Sequence, residues 1–193
     1  SLSGLAGIFA GTFAIAGALF ALFQLTGTYN ALNYMERIPI NLTVDTAFFL
    51  LLDALMVLVL SISAAVFFTT RKAKKKGLPL WDAKAFRMLA NLAIPLVAGG
   101  VFCLTLLYHS LHAGREAYYL FGLIAPCTLL FYGLALLNAS NYTLDEIRWL
   151  GVSEIILGLF ACIFVCNGLL FWIIGFGFLH IFYGALMWYK YER

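Results

Sequence analysis

The chain has 193 residues, of which 64% are hydrophobic and 11% are charged, and its formal net charge is +3. Soluble domains carry roughly 45–50% apolar and about 25% charged residues, so this composition excludes an ordinary soluble globular domain. The apolar residues form continuous blocks of about the 20 residues that a helix needs to cross a bilayer, without the alternation of a membrane barrel. The composition therefore predicts an all-α integral membrane protein.

Six apolar blocks follow one another along the chain, and each predicts a membrane-spanning helix. The first block lacks a charged leading segment and a cleavage site, so we expect a span and not a signal peptide. Most connections are short, which favours antiparallel neighbours within a single domain over residues 1–193. The prediction is a compact bundle of six transmembrane helices at residues 3–25, 45–70, 85–112, 117–138, 144–167 and 169–189.

Small residues form a stripe along the first block. Ser3, Gly7 and Gly11 recur at four-residue steps, a spacing that lets another helix approach closely. We expect this stripe to pack inside the bundle, with homodimerisation as the alternative.

Local signals predict where the helices start and bend. In "TLDE", Thr143 and Glu146 have the spacing of a capping box and predict the start of the fifth helix. Pro95, followed by Gly99 and Gly100, predicts a bend in the third span, and Pro126 predicts another in the fourth.

The connection after the second block is strongly basic and predicts the orientation of the chain. Basic residues are retained on the cytoplasmic side, so both termini are predicted to be cytoplasmic. The same residues are suited to contact anionic lipid headgroups or a partner protein, and no nucleic-acid motif accompanies them. The closely spaced members of this basic segment are Arg71, Lys72, Lys74, Lys75 and Lys76.

Two ionisable residues of the last two blocks are predicted to meet inside the bilayer. The turn between these blocks is expected at Asn167–Gly168. Glu154 lies 13 residues before Asn167, and His180 lies 12 residues after Gly168. At about 1.5 Å per residue both are roughly 18–20 Å from the turn, and therefore at matching depth. Direct or water-mediated approach of Glu154 and His180 is the expectation.

Glycines near both residues suggest which faces meet. Gly151 and Gly158 lie at helical spacing from Glu154, and Gly177 and Gly184 lie at helical spacing from His180. Small residues beside a polar one are typical of a contact between helices, so we expect these glycines to line the contact of the pair.

Other polar residues of the blocks are further candidates for function, because ionisable groups in spans usually face the bundle interior or a cavity. Asp53 is expected to be well buried, whereas His109 and His112 lie near the outer end of the third span. The four cysteines are expected to be small interior residues. The remaining candidates are Asn91 and Tyr132, and the cysteines are Cys103, Cys127, Cys162 and Cys166.

Three classes of function fit these features. The first is a non-catalytic sensing or partner-binding membrane subunit, which needs no cofactor. The second is a small proton, cation or solute transporter or channel that uses Asp53, Glu154 and His180. The third is a membrane-embedded metal-dependent enzyme, for which the ligand types are present but no catalytic motif is found.

Three stretches carry a resemblance to a known family: "SLSGLAGIFAGTFAIAGA", "FFTTRKAKKKG" and "GLIAPCTLLFYGLALLNAS". With these stretches the chain resembles a family of uncharacterised six-span bacterial membrane proteins. The resemblance implies a location in the bacterial inner membrane and no particular activity.

Overall fold

A computed structural model describes residues 3–26, 44–75, 77, 82–112 and 117–193 of the chain. All regular elements in these ranges are helical, as the continuous apolar blocks predict. The α-helices are α1 (Gly4–Thr26), α2 (Val44–Lys75), α3 (Ala83–His112), α4 (Ala117–Gly122), α5 (Ile124–Ser140), α6 (Asp145–Ile163), α7 (Gly168–Trp172) and α8 (His180–Tyr191). A 3₁₀ turn (Val165–Asn167) precedes α7, and a π-helical segment (Ile173–Leu179) joins α7 to α8.

Five stretches of the described chain are long and apolar enough to cross a bilayer. They are Gly4–Gln24, Val44–Lys75, Ala83–His112, Tyr119–Ser140 and Gly168–Tyr191. The predicted all-helical class and the multi-pass membrane character are therefore confirmed. The remaining predicted block corresponds to α6, whose 19 residues include four charged side chains, three of them among its first four residues.

The last block, from α7 to α8, occupies the middle of the helix arrangement. It packs against α1 on one side and against α5 and α6 on the other. Helix α2 packs against α1, and α3 packs against α5. Although α2 and α3 follow each other in sequence, their described residues make at most marginal contact with each other. These two helices therefore lie at opposite edges of the arrangement.

Helices α2 and α3 expose long apolar surfaces because each packs closely against the elements of one other block. Large side chains such as Phe48, Leu55, Ile94 and Val101 are exposed along them. Apolar surface of this extent is unfavourable in water and suits the acyl chains of a bilayer.

Glycines bring α1 into backbone contact with the last block. A Cβ atom at Gly7 would lie 3.0 Å from Gly184 Cα, and one at Gly11 would lie 2.5 Å from the Gly177 carbonyl oxygen. Only a residue without a side chain permits this approach, so the predicted use of the stripe in internal packing is confirmed.

The start of α6 corrects the predicted capping box. The residue before the helix is Leu144, and no side chain caps the first turn. The Glu146 carboxylate instead accepts hydrogen bonds from Lys190 Nζ at 2.7 Å and from the Tyr191 hydroxyl group at 3.2 Å. A charged donor on the neighbouring helix α8 offers this carboxylate a stronger partner than the local backbone does.

The proline positions fit the helical elements. The fourth block is interrupted at Leu123, and Pro126 lies in the first turn of α5, where proline is tolerated because that turn lacks intrahelical partners. Pro95 lies inside α3, which continues as a helix on both sides. The bend predicted there stays a prediction.

A second set of polar contacts ties the ends of α1, α2 and α8 together. The Glu192 carboxylate accepts hydrogen bonds from Ser3 Oγ at 3.0 Å and from the Gly4 backbone N–H group. Lys72 Nζ donates to the same carboxylate at 3.2 Å. These three contacts form the terminal clamp, which places both described ends of the chain on one side of the bundle.

The basic segment differs from the sequence prediction in where its helix ends. Helix α2 continues to Lys75, five residues beyond its predicted end, because cationic side chains are favourable at a helix C-terminus. Lys72 is buried against Glu192, whereas Arg71, Lys74 and Lys75 are exposed. Lys76 lies outside the described residues.

Candidate functional site

Glu154 is the most deeply buried ionisable residue that the structure describes. It lies in the middle of α6, and its side chain is 0% exposed. Its carboxylate faces Gly175 of the π-helical segment, where an added Cβ atom would lie 2.5 Å from Oε2. The absence of a side chain at Gly175 therefore makes the space that the carboxylate occupies.

His180, the first residue of α8, is the ionisable neighbour of Glu154. Its Nδ1 atom lies 3.4 Å from Glu154 Oε1 and 3.1 Å from the carbonyl oxygen of Gly175. The predicted approach of Glu154 and His180 is confirmed, and it is direct. The hairpin that brings them together turns at Val165–Asn167, next to the predicted position.

The glycines expected to line this contact have other partners. Gly177 and Gly184 lie against α1, and Gly151 and Gly158 lie against α5. That part of the prediction was wrong, because small residues promote contact with any neighbouring helix and do not specify which one. The glycine at the pair is Gly175, which the sequence analysis missed.

Tyr132 of α5 extends the pair to a third helix. Its hydroxyl group lies 2.7 Å from His180 Nε2. Because Nδ1 faces two oxygen acceptors, we place the imidazole proton there, and Nε2 accepts the tyrosine hydroxyl proton. Tyr132 is thus hydrogen-bonded to His180, and Glu154 lies beside the other face of the imidazole at 3.4 Å; we call these three residues the polar chain.

Aromatic packing fixes the rings of the polar chain. The ring of Phe176 lies 5.0 Å from that of Tyr132 and stacks on that of His180 at 6.0 Å, measured between ring centres. Contacts of this kind stabilise one orientation of each ring. The imidazole is therefore held between its partners.

The carboxylate of Glu154 has few partners for a buried group. Neither oxygen makes a hydrogen bond to the described residues, and His180 Nδ1, at 3.4 Å from Oε1, is the one nitrogen among them within ion-pairing distance. Burial of an unpaired carboxylate is costly, whereas Glu154 and His180 together can hold one proton with no net charge. The arrangement is therefore suited to holding a proton.

The π-helical segment lies where the polar chain is built. Each π turn shifts the hydrogen-bonding pattern from i+4 to i+5, and such turns occur frequently at functional sites. In this segment Gly177 faces α1 while Gly175 faces Glu154. The segment therefore packs closely against α1 on one side and against α6 on the other.

The other candidates lie apart from the polar chain. Asp53 of α2 is half-buried against α1, where a Cβ atom on Gly17 would lie 3.4 Å from either carboxylate oxygen. His109 and His112 are exposed, and His112 Nδ1 lies 2.7 Å from the carbonyl oxygen of Tyr108. Asn91 donates to the carbonyl oxygen of Arg87 at 2.8 Å. These contacts are local ones within a helix, except for that of Asp53.

The described residues form no metal site that would support the alternative of a metal-dependent enzyme. Within the described ranges, no three side chains of His, Cys, Asp or Glu come together as metal ligands would. Cys103, Cys127 and Cys162 are free thiols of intermediate burial.

Comparison with known proteins identified no relative of this chain. No protein-family model matches the chain, and no curated protein or solved structure matches it significantly.

Proposed function

We propose that the protein is a non-catalytic sensing subunit of the bacterial inner membrane, with six spans and both termini in the cytoplasm. The polar chain of Tyr132, His180 and Glu154 is its responsive element. The observation that carries the proposal is the complete burial of Glu154, with His180 as the one titratable partner in the described chain that lies within ion-pairing distance.

Helix α6 supports the count of six spans. Its 19 residues extend roughly 28 Å, close to the ~30 Å thickness of the hydrocarbon core. It packs along α5, which belongs to the span Tyr119–Ser140, and along the last block, and both spans are long enough to cross the bilayer. Its charged residues Asp145, Glu146 and Arg148 all lie at one end, so Glu154 is the one charged side chain in the rest of the helix.

The charge distribution supports the orientation. The exposed basic residues Arg71, Lys74 and Lys75 lie at the same end as the terminal clamp, and basic residues are retained in the cytoplasm. Labelling of K75C and H112C in intact cells with an impermeant thiol reagent tests this. The reagent should label H112C from outside the cell and should not label K75C. The opposite pattern excludes the orientation.

The cost of burying Glu154 favours function over packing. Replacing a buried ion pair by apolar residues of similar volume is often neutral or stabilising, so a purely structural contact does not require this pair. Ionisable residues within spans are generally functional for the same reason.

Close packing favours sensing over conduction or catalysis. A Cβ atom added at Gly175 would lie within 3.2 Å of the side chains of Glu154, Leu129 and Leu157, so these side chains fill the space beside the glycine. Such packing leaves the pair able to change its protonation and its hydrogen bonds. The exposed edges formed by α2 and α3 then offer surfaces through which a change in the bundle can reach lipid or a partner protein.

A double-mutant cycle tests the role of the pair. We expect E154Q to fold with unchanged or raised thermal stability in detergent, because glutamine removes the buried charge and keeps the shape. E154Q and H180Q should show a coupling of about 0.5–3 kcal/mol when combined. The exposed H112Q serves as the control. A large loss of stability in E154Q would instead assign the pair to structural support.

A proton transporter is the second candidate, because the polar chain links exchangeable protons on three helices. Reconstitution into vesicles with a pH-sensitive dye distinguishes the two. The sensing proposal expects no proton flux above that of empty vesicles. A flux that E154Q abolishes would establish transport instead.

A further inference from the structure

The imidazole N–H group of His180 faces two acceptors on different elements. One is the carbonyl oxygen of Gly175, in the π-helical segment, at 3.1 Å from Nδ1. The other is Oε1 of Glu154, on α6, at 3.4 Å. A single N–H group forms one strong hydrogen bond, so the two acceptors compete for it.

The charge on Glu154 determines which of the two acceptors binds the N–H group of His180. A neutral carboxyl group competes weakly, and the shorter contact to Gly175 then holds the N–H group. A carboxylate attracts the donor more strongly, because hydrogen bonds to ionised acceptors are roughly twice as strong as neutral ones.

We propose that the ligand of the polar chain is a proton, and that its release from Glu154 moves the His180 Nδ1–H bond from Gly175 to Glu154. This inference rests on the proposed function and names its stimulus. In the step, the O–H bond of the carboxyl group breaks, its electron pair stays on the carboxylate, and the proton passes to water when the segment opens locally.

The surroundings of the pair leave few other groups to bind this proton. Helix α5 contributes Tyr132, which already donates to Nε2, and α8 contributes Tyr183, whose hydroxyl group bonds to Ser153 at 3.3 Å. Helices α1 and α7 and the π-helical segment contain no titratable side chain. The charged residues of α6 and α8 other than the pair lie near their ends, where Glu146 binds Lys190.

The step changes the stability of the π-helical segment. When Nδ1 turns to Glu154, the carbonyl oxygen of Gly175 loses a hydrogen bond. The segment between α7 and α8 then opens more readily, and α6 is bound more tightly to α8. Proton release is thereby converted into a change in how the last block packs.

Hydrogen exchange of the amides of residues 173–180, measured on the full chain in a bilayer, tests the proposal. After correction for the intrinsic effect of pH, protection should fall roughly two- to tenfold on deprotonation, between roughly pH 4 and pH 9. E154Q mimics the neutral carboxyl group, so its protection should not vary with pH. H112Q, changed at an exposed histidine, should behave like the wild type.

A second measurement uses the wild-type protein and therefore does not require any variant to fold. Nitrogen-15 NMR of the wild-type imidazoles reports the hydrogen bond at His180 Nδ1 directly, and its signal should change in the same pH range as the exchange. Protection that is independent of pH in the wild type, or equally dependent on pH in E154Q, would overturn the proton assignment. If the double-mutant cycle still shows coupling in that case, the sensing proposal survives with a different stimulus.

Discussion

At the residue scale, Gly175 decides whether Glu154 can be accommodated. An alanine Cβ there would lie 2.5 Å from Glu154 Oε2 and 2.5 Å from Leu129 Cδ2. We expect G175A to lower the free energy of unfolding by about 1–3 kcal/mol, the usual cost of overpacking. Thermal unfolding in detergent measures the change.

The control for this residue is Gly100 of α3, where an added Cβ atom meets nothing within 4 Å. Both substitutions gain the same intrinsic helix propensity, so G100A should leave stability unchanged or raise it. Equal stability of G175A and G100A would show that the Glu154 carboxylate does not need the space.

At the scale of the element, the contact between α1 and α8 depends on Gly184. A Cβ atom there would lie 2.7 Å from the backbone nitrogen of Ile8 and 2.8 Å from the carbonyl oxygen of Gly4. Because these atoms belong to the backbone, G184A must push the two helices apart. We expect a loss of about 1–3 kcal/mol in unfolding free energy.

Ala185, the next residue of α8, is exposed, so A185V is the matched control and should have little effect on thermal stability. Size-exclusion chromatography with light scattering distinguishes the two possible roles of the small-residue stripe on α1, which are internal packing against α8 and homodimerisation. A G184A variant that changes its oligomeric state but keeps its stability would favour the homodimer alternative.

The same elements show why the depth of a residue along its helix could be predicted from the sequence, whereas the neighbour that its side chain faces could not. The matching depth of Glu154 and His180 follows from the helical rise and the position of the turn. Which glycine lies beside them depends on helix rotation, and the π-helical segment alters that rotation without a signal in the hydropathy pattern. The partner of Glu146 depends on which helix lies next to α6, so local capping rules assigned it wrongly.

At the scale of the whole molecule, two ion pairs close the same end of the bundle but differ in exposure. Lys72 and Glu192 are 9% and 13% exposed, whereas Lys190 is 56% exposed beside Glu146. Glu192 also binds the first turn of α1, so it joins three helices. Exposed pairs contribute little and are screened by salt, whereas a largely buried carboxylate with several donors contributes more.

We therefore expect E192Q to lower the unfolding free energy by about 1–3 kcal/mol at both low and high salt. K190Q, the matched change at the exposed pair, should cause a smaller loss that disappears at high salt. Thermal unfolding in detergent at two ionic strengths measures both. If the two variants lose stability equally and recover together in salt, the terminal clamp is a surface interaction, and the ends of α1, α2 and α8 are held by apolar packing alone.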